Sequence, residues 1–167
     1  MIVSERLQLR QLTLDDAPFI LQLLNDPDWL KYIGDKQVHN LDEAKQYIEN
    51  GPRLMQANHN VSLLLVETRA HGVAIGMCGL LKRDNLECPD LGFAFMPDYR
   101  SQGFALEASQ AVLNYARIQL NLPKIAAMTA LDNVPSVNLL EKLGFKFSEV
   151  IKFDHNDPGT RLFFLSF

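Results

Sequence analysis

Cysteine is scarce in this 167-residue chain: only Cys78 and Cys88 occur, and they do not form a metal-type pair. No disulfide framework or cysteine-rich metal knot is therefore expected to hold the fold together. The spacing would allow the two to meet across a hairpin, but free thiols are the expected state in a reduced compartment. The four histidines (His39, His59, His71, His155) are scattered, with no i, i+4 pair on a helix, so no metal is expected. No apolar run approaches the roughly 20 residues needed to span a bilayer. The opening Met1-Ile2-Val3-Ser4-Glu5-Arg6 lacks a basic-then-apolar signal pattern, which gives a cytoplasmic location and no membrane partner as the expectation. Positive charge is not in excess either. Sixteen Lys and Arg against twenty Asp and Glu leave a formal net charge of −4, which supplies no broad attraction to nucleic acid. No Gly-x-Gly-x-x-Gly follows a first strand, and no Gly-Lys-Ser/Thr follows Gly103, so neither a dinucleotide fingerprint nor a Walker loop is available. Repeats, linkers and low-complexity segments are also missing.

What remains is the composition of an ordinary globular chain, 47% hydrophobic and 22% charged, long enough for one good core. A single domain over residues 1–167 is expected. Arg6 to Leu12 alternates polar and apolar residues and reads as a half-buried first strand. Thr13 with Asp16 three residues on looks like a helix start, and Phe19, Ile20, Leu23 and Leu24 give that helix its apolar face as far as Asn25-Asp26-Pro27. The aromatic-rich segment Asp28 to Ile33 follows. A second helix should start after Asn40, bury Ala44, Tyr47 and Ile48, and be kinked or ended by Pro52. Val61 to Glu67, Ala74 to Leu81 and Asp90 to Phe95 read as strands whose short connections imply antiparallel hairpins. A long helix should run from about Gly103 to Leu120. After it come a buried strand, Lys124 to Ala130, and a short helix, Pro135 to Leu143, stopped by Gly144. The strands Lys146 to Phe153 and Arg161 to Ser166 close the chain around the turn Asn156-Asp157-Pro158-Gly159.

The most informative stretch is Pro97-Asp98-Tyr99-Arg100-Ser101-Gln102-Gly103-Phe104-Ala105. A short strand runs into a turn and then into an amphipathic helix, which aims unpaired first-turn N–H groups and the positive end of the helix dipole at one spot. Gly103 lets the backbone approach a ligand, and Ala105 keeps the next approach small. The reading is an anion site, with a diphosphate as the anion.

Arg100, Gly103 and Ala105 resemble the pyrophosphate loop of the GNAT superfamily of N-acetyltransferases, Arg/Gln-x-x-Gly-x-Gly/Ala after a strand. Ser4-Glu5-Arg6-Leu7-Gln8-Leu9-Arg10 followed by Asp15-Asp16-Ala17 is similar to the opening of its ribosomal-protein (RimJ/RimL-like) branch. Asn133, Ser136 and Glu141-Lys142-Leu143-Gly144-Phe145 resemble a second signature of that branch. The resemblance implies an α+β fold: a central mixed, mostly antiparallel splayed sheet with helices on both faces. It implies acetyl-CoA as co-substrate, with its pantothenate arm on the backbone near Phe95 and Met96. The diphosphate would lie on the amides of Gln102, Gly103, Phe104 and Ala105, with charge added by Arg100, and Asn133 would hold the pantetheine arm.

The implied activity is transfer of an acetyl group to a primary amine by direct attack in a ternary complex. The acceptor would be a small molecule or a protein N-terminus, which the branch resemblance favours. A polyamine, amino acid or antibiotic acceptor is the alternative, as is a non-catalytic acyl-CoA sensor of the same fold. Many relatives place a Tyr four residues before the Gly of Gly-Phe as donor to the leaving thiolate; here that position is Leu140, and Ser136 is the substitute. Asp90, at the start of the central strand, is the leading base, with Glu87 second; an α-amine acceptor could dispense with a base. Nothing in the sequence separates a monomer from a homodimer.

Overall fold

A computed structural model describes residues 1–167. Eight strands form one sheet: β1 (Ile2–Val3), β2 (Leu7–Arg10), β3 (Leu63–Thr68), β4 (Ala74–Leu81), β5 (Asp90–Phe95), β6 (Lys124–Ala130), β7 (Lys146–Ile151) and β8 (Thr160–Ser166). Their spatial order is β1-β2-β3-β4-β5-β6-β8-β7. Every neighbouring pair is antiparallel except β5 and β6. The helices are α1 (Ala17–Leu24), α2 (Pro27–Tyr32), α3 (Leu41–Ile48), α4 (Leu54–His59), α5 (Phe104–Ile118) and α6 (Val134–Lys142). No helix is long and apolar enough to cross a membrane.

Both faces of the sheet are covered, because the strands bury side chains on either side. Leu7, Leu9, Val66, Cys78, Leu91 and Phe95 meet Ala108, Val112 and Ala116 of α5 and Leu140 of α6. The buried stripe of α5, with Ala108, Ser109, Val112, Leu113 and Ala116, has the spacing of one helix face. On the opposite face Leu65 and Met77 pack against Ile20, Leu23, Trp29, Ala44 and Ile48. The Cys78 thiol lies inside the first layer, 3.7 Å from the Ser109 hydroxyl, and burial pushes it up to about 12; both cysteines are free.

Several local expectations need correcting. The first strand is shorter than Arg6 to Leu12, and a two-residue strand precedes it. Thr13 does cap a helix start with Asp16 three residues on, the Asp16 carboxylate accepting from the Thr13 amide at 2.8 Å, but the first turn, Leu14–Asp16, is 3₁₀ before α1 begins. The segment after Pro27 folds as α2, capped by Asp26, which accepts from the amides of Asp28 and Trp29. Pro52 does not end its helix. A widened π turn, Glu49–Arg53, absorbs the missing donor, and the chain continues helically to His59 before Asn60 turns left-handed at φ 57°. The strand expected to reach Phe153 stops at Ile151 and carries an irregularity between Phe147 and Glu149.

The feature that positions the site is a fork. β4 accompanies β5 over its whole length, from Leu81 opposite Asp90 to Gly76 opposite Phe95. β6 pairs with β5 only at Asp90 with Ala126 and Leu91 with Ala127, while it stays paired with β8 as far as Ala130. Past Leu91 the two central parallel strands part.

On the far side of the sheet Arg10 ties β2 to the α1 entrance and to β3. Its guanidinium donates to both Asp16 carboxylate oxygens at 2.9 Å and to Glu67 at 2.8 and 3.1 Å. Burial pushes the Asp16 carboxyl up, but the bonds from Arg10 and the Thr13 amide outweigh it and hold the group below its ordinary 3.8. A carboxyl lowered by folding adds stability above its unfolded value and loses it as pH falls through the folded value. Arg10→Met should cost about 2–4 kcal/mol at pH 7, less than a fully buried pair because the arginine is partly exposed. In urea titrations the gap between the two proteins should narrow below about pH 4, where wild type loses this contribution.

Candidate functional site

The fork opens where two parallel strands end and two helices begin: α5 follows β5, and α6 follows β6. Crevices beyond the carboxyl ends of parallel strands are where open sheets bind ligands. The backbone there is short of partners. The Met96 amide donates to the Ile75 carbonyl at 2.9 Å, so the alternation of an antiparallel pair turns Met96 and Ala94 toward β4, and Phe93 and Phe95 toward β6. β6 has already departed at that level. The Phe95 carbonyl is taken by Arg100 Nε at 2.9 Å, which leaves the Phe93 N–H and C=O and the Phe95 N–H facing the crevice without a chain partner.

Beside this edge stands the loop into α5. Ser101 at φ 59° and Gly103 at φ 81° turn the chain so that α5 starts without a side-chain cap. None of the amides from Ser101 through Leu106 donates to a protein acceptor; the first α5 bond to the cap is from Glu107 to the Gly103 carbonyl at 3.0 Å. Six successive free N–H groups at the positive end of a 15-residue helix form a cradle with the chemistry to take an anion.

A residue that the sequence reading did not single out holds this cradle. Arg6 donates to the Gln102 carbonyl at 3.0 Å and to Glu107 at 2.7 Å, and its guanidinium lies 4.3 Å from the centre of the Phe104 ring. Ser4 Oγ and the Arg6 amide also donate to Glu107, at 2.6 and 2.7 Å. Burial pushes the Glu107 carboxyl up, and these donors more than offset it, so the group sits below its ordinary 4.5. With 44% of its side chain exposed, Arg6 brings a positive charge to the loop's edge.

Arg100 occupies a different position from the one expected. Nε is on the Phe95 carbonyl, one terminal nitrogen is on Asp26 at 2.7 Å and the other is on Asp28, while its own amide donates to Pro97. The guanidinium therefore clasps the end of β5 to the start of α2 instead of standing over the loop. Met96 is likewise committed: its amide goes to Ile75 and its carbonyl accepts from Tyr99 at 3.0 Å, so the open edge is that of Phe93 and Phe95. The Gln102 side chain bonds the Asp98 carbonyl at 2.7 Å, leaving only its amide to the cradle.

Asp90 lies at the root of the fork, 2% exposed, on the sheet face opposite α5 and α6. Arg83 pairs with it at 2.9 Å. Burial dominates and pushes its carboxyl above the ordinary 3.8, against the pull of Arg83. Glu87 is exposed in the preceding loop. Asn133 caps α6 by accepting from the Ser136 amide at 3.3 Å, so its side-chain nitrogen is not used in the cap; Ser136 is half-buried in the first turn. Leu140, where many relatives carry Tyr, is core, 1% exposed.

Comparison with known proteins gives this geometry a context. The family model described as Acetyltransferase (GNAT) domain matches residues 6–146. The chain is 30% identical over 165 residues to a Bacillus licheniformis protein named uncharacterized N-acetyltransferase p20, covering 96% of this chain and 90% of that one. It is 25% identical to a spermidine N(1)-acetyltransferase of Vibrio cholerae, over 86% and 80% of the two chains. Among solved structures, a GNAT-family acetyltransferase from Bacillus anthracis superposes with a TM-score of 0.81 at 23% identity over 99% and 97% of the chains. The ribosomal-protein acetyltransferase RimL, solved with coenzyme A, superposes with a TM-score of 0.84 at 14% identity over 98% and 96%.

Gly103 carries a direct test of the cradle's backbone. An L side chain at φ 81° is strained, and its Cβ would meet Arg6 at 3.3 Å. Gly103→Ala should cost about 1 kcal/mol and lower the melting temperature by roughly 2–4 °C, with Gly103→Asn milder, as calorimetry would show.

Proposed function

Because the chain belongs to the acetyltransferase (GNAT) family, and is on that ground an N-acetyltransferase, we propose that it moves the acetyl group of acetyl-CoA to a primary amine within a ternary complex, and that the acceptor is a protein N-terminal α-amine. The observation that carries the coenzyme part is the pairing of six free amides, Ser101 to Leu106, with the open β5 edge at Phe93 and Phe95. A diphosphate joined to an arm of amides has the chemistry to satisfy both. A single unpartnered helix start would not ask for the arm.

In this reading the amides of Gln102, Gly103, Phe104 and Ala105 hold the diphosphate, with Ser101 and Leu106 at the margins. Arg6 adds charge and rigidity, and Asn133 steadies the arm from the other wall. The coenzyme supplies a thioester carbonyl. The incoming amine forms the C–N bond as the C–S bond breaks, and the free N–H groups of the β5 edge steady charge developing on the carbonyl oxygen. Ser136 donates a hydrogen bond to the departing thiolate. Asp90 takes the amine's proton through water, since its carboxylate is nearly enclosed. Burial raises its pKa, which makes the carboxylate a stronger base than an exposed aspartate.

The choice of an α-amine rests on charge. Asp26 and Asp28 share Arg100, and Asp90 is matched by Arg83, so these carboxylates beside the fork leave a single net negative charge. A polyamine would need several free ones. An α-amine is also less protonated at neutral pH than a lysine-type amine, which eases the demand on the base. The ribosomal-protein acetyltransferase among its structural neighbours is consistent with this choice, and a cytoplasmic enzyme would suit it.

Titration calorimetry with acetyl-CoA should show saturable binding, weakened more than tenfold by Gly103→Glu, which places a carboxylate in the cradle. Coenzyme thiol release should then be faster with peptides bearing a free N-terminus than with spermidine or N-terminally blocked peptides. Preference for spermidine would reverse the acceptor assignment, and absence of acetyl-CoA binding would end the whole reading.

The two side-chain roles separate by pH and by affinity. Asp90→Asn should lower turnover by about 10²-fold and flatten the acid limb of the pH–rate profile, because a base is competent only above its own pKa. Ser136→Ala should lower turnover with acetyl-CoA affinity unchanged. An unaltered profile in the first, or unaltered turnover in the second, would remove that residue from the mechanism.

A further inference from the structure

Within β6 the residues from Ile125 to Ala130 are apolar with one exception, Thr129. Its side chain is 6% exposed, and its Oγ1 has no hydrogen-bond partner in the chain, one of two buried side-chain polar atoms in that position. A buried hydroxyl without a partner is costly, and valine has the same shape without that cost.

Continuing the register of Asp90 with Ala126 and Leu91 with Ala127 puts Thr129 level with Phe93, across the gap where the strands have parted. Its side chain projects to the same face as that of Ala127, which lies in the core layer with α5 and α6. Opposite it on β8 is Arg161, whose Nε is already spent on the Leu131 carbonyl at 3.2 Å. Four residues on, Asn133 begins α6 with its side-chain nitrogen unused by the cap. On the β5 side of the gap is thus the open Phe93–Phe95 backbone, and on the β6 side at the same level are the buried Thr129 hydroxyl and, beyond it, Asn133.

Resting on the coenzyme placement above, we infer that the Thr129 hydroxyl is a coenzyme-binding group, which donates a hydrogen bond to a carbonyl of the amide arm running between these two sides. The arm takes from β5 the backbone partners that β6 no longer gives, and Thr129 fixes it from the β6 side. The hydroxyl goes unpaired within the protein because its acceptor belongs to the ligand.

The test uses the full chain with Thr129→Val, which keeps the shape, and Thr129→Ser, which keeps the hydroxyl. Calorimetric titration is run with acetyl-CoA and with ADP, which carries a diphosphate and no amide arm. Thr129→Val should bind acetyl-CoA about 3- to 10-fold more weakly, the loss of one hydrogen bond, with ADP affinity unchanged and Thr129→Ser close to wild type. The ligand-free valine variant should melt at or above the wild-type temperature, since the fold loses no bond. Unchanged acetyl-CoA affinity in Thr129→Val, with wild-type binding intact, overturns this inference alone. A lower melting temperature of the ligand-free variant also overturns it, because the hydroxyl would then be bonded within the fold. Failure of wild type to bind acetyl-CoA removes both this inference and the placement it rests on.

Discussion

Beyond Leu91, β5 keeps β4 on one side and loses β6 on the other, and the rest of the molecule is arranged around that loss. Backbone N–H and C=O groups in a protein interior need partners, so two central strands can part only where something else will satisfy them. Here the two halves of the sheet each remain internally paired, β1 through β5 on one side and β6 with β8 and β7 on the other. Rigid halves hold the crevice open. Because β5 and β6 are parallel, both following helices start at the same end, which collects two helix N-termini at the mouth of the fork.

Four arginines act as fasteners for this arrangement. Arg83 closes the root of the fork on Asp90, and Arg100 locks the end of β5 onto α2. Arg6 fixes the α5 loop to the N-terminal segment, and Arg10 secures the α1 entrance to the sheet. The planar guanidinium fork suits this task, since one side chain can bond carboxylates and carbonyls from several elements together. The same commitments mean that charge at the site is closely allocated: all three guanidinium nitrogens of Arg100 are bonded within the protein, whereas Arg6, paired with Glu107 and Gln102, keeps one terminal nitrogen free.

Much of the architecture was legible in the sequence because it rests on local rules. The alternation of Leu7 and Leu9, the Asn40 cap, the α5 stripe and the stop at Gly144 each depend on neighbours a few residues away. Pro52 interrupted its helix as expected, though by a widened turn and not by a helix end. The turn from β5 through Gly103 into α5 was equally readable, its strand, glycine and helix being contiguous. Arg6 was not, lying 101 residues from the glutamate it holds. The direction of the Arg100 side chain was also hidden, because it depends on Asp26 and Asp28, more than seventy residues earlier.

By itself the sequence determined the order of the main strands and helices, the character of the two buried layers and the place of the helix start after Gly103, all set by periodicity, capping and glycine. Only the tertiary structure decided where β5 and β6 separate, which backbone groups that separation exposes, and that Thr129 brings an unpartnered hydroxyl to the gap. Those are properties of register between strands remote in sequence. The pairing of Leu91 with Ala127, and the absence of pairing beyond it, is set by the packing of both sheet halves at once.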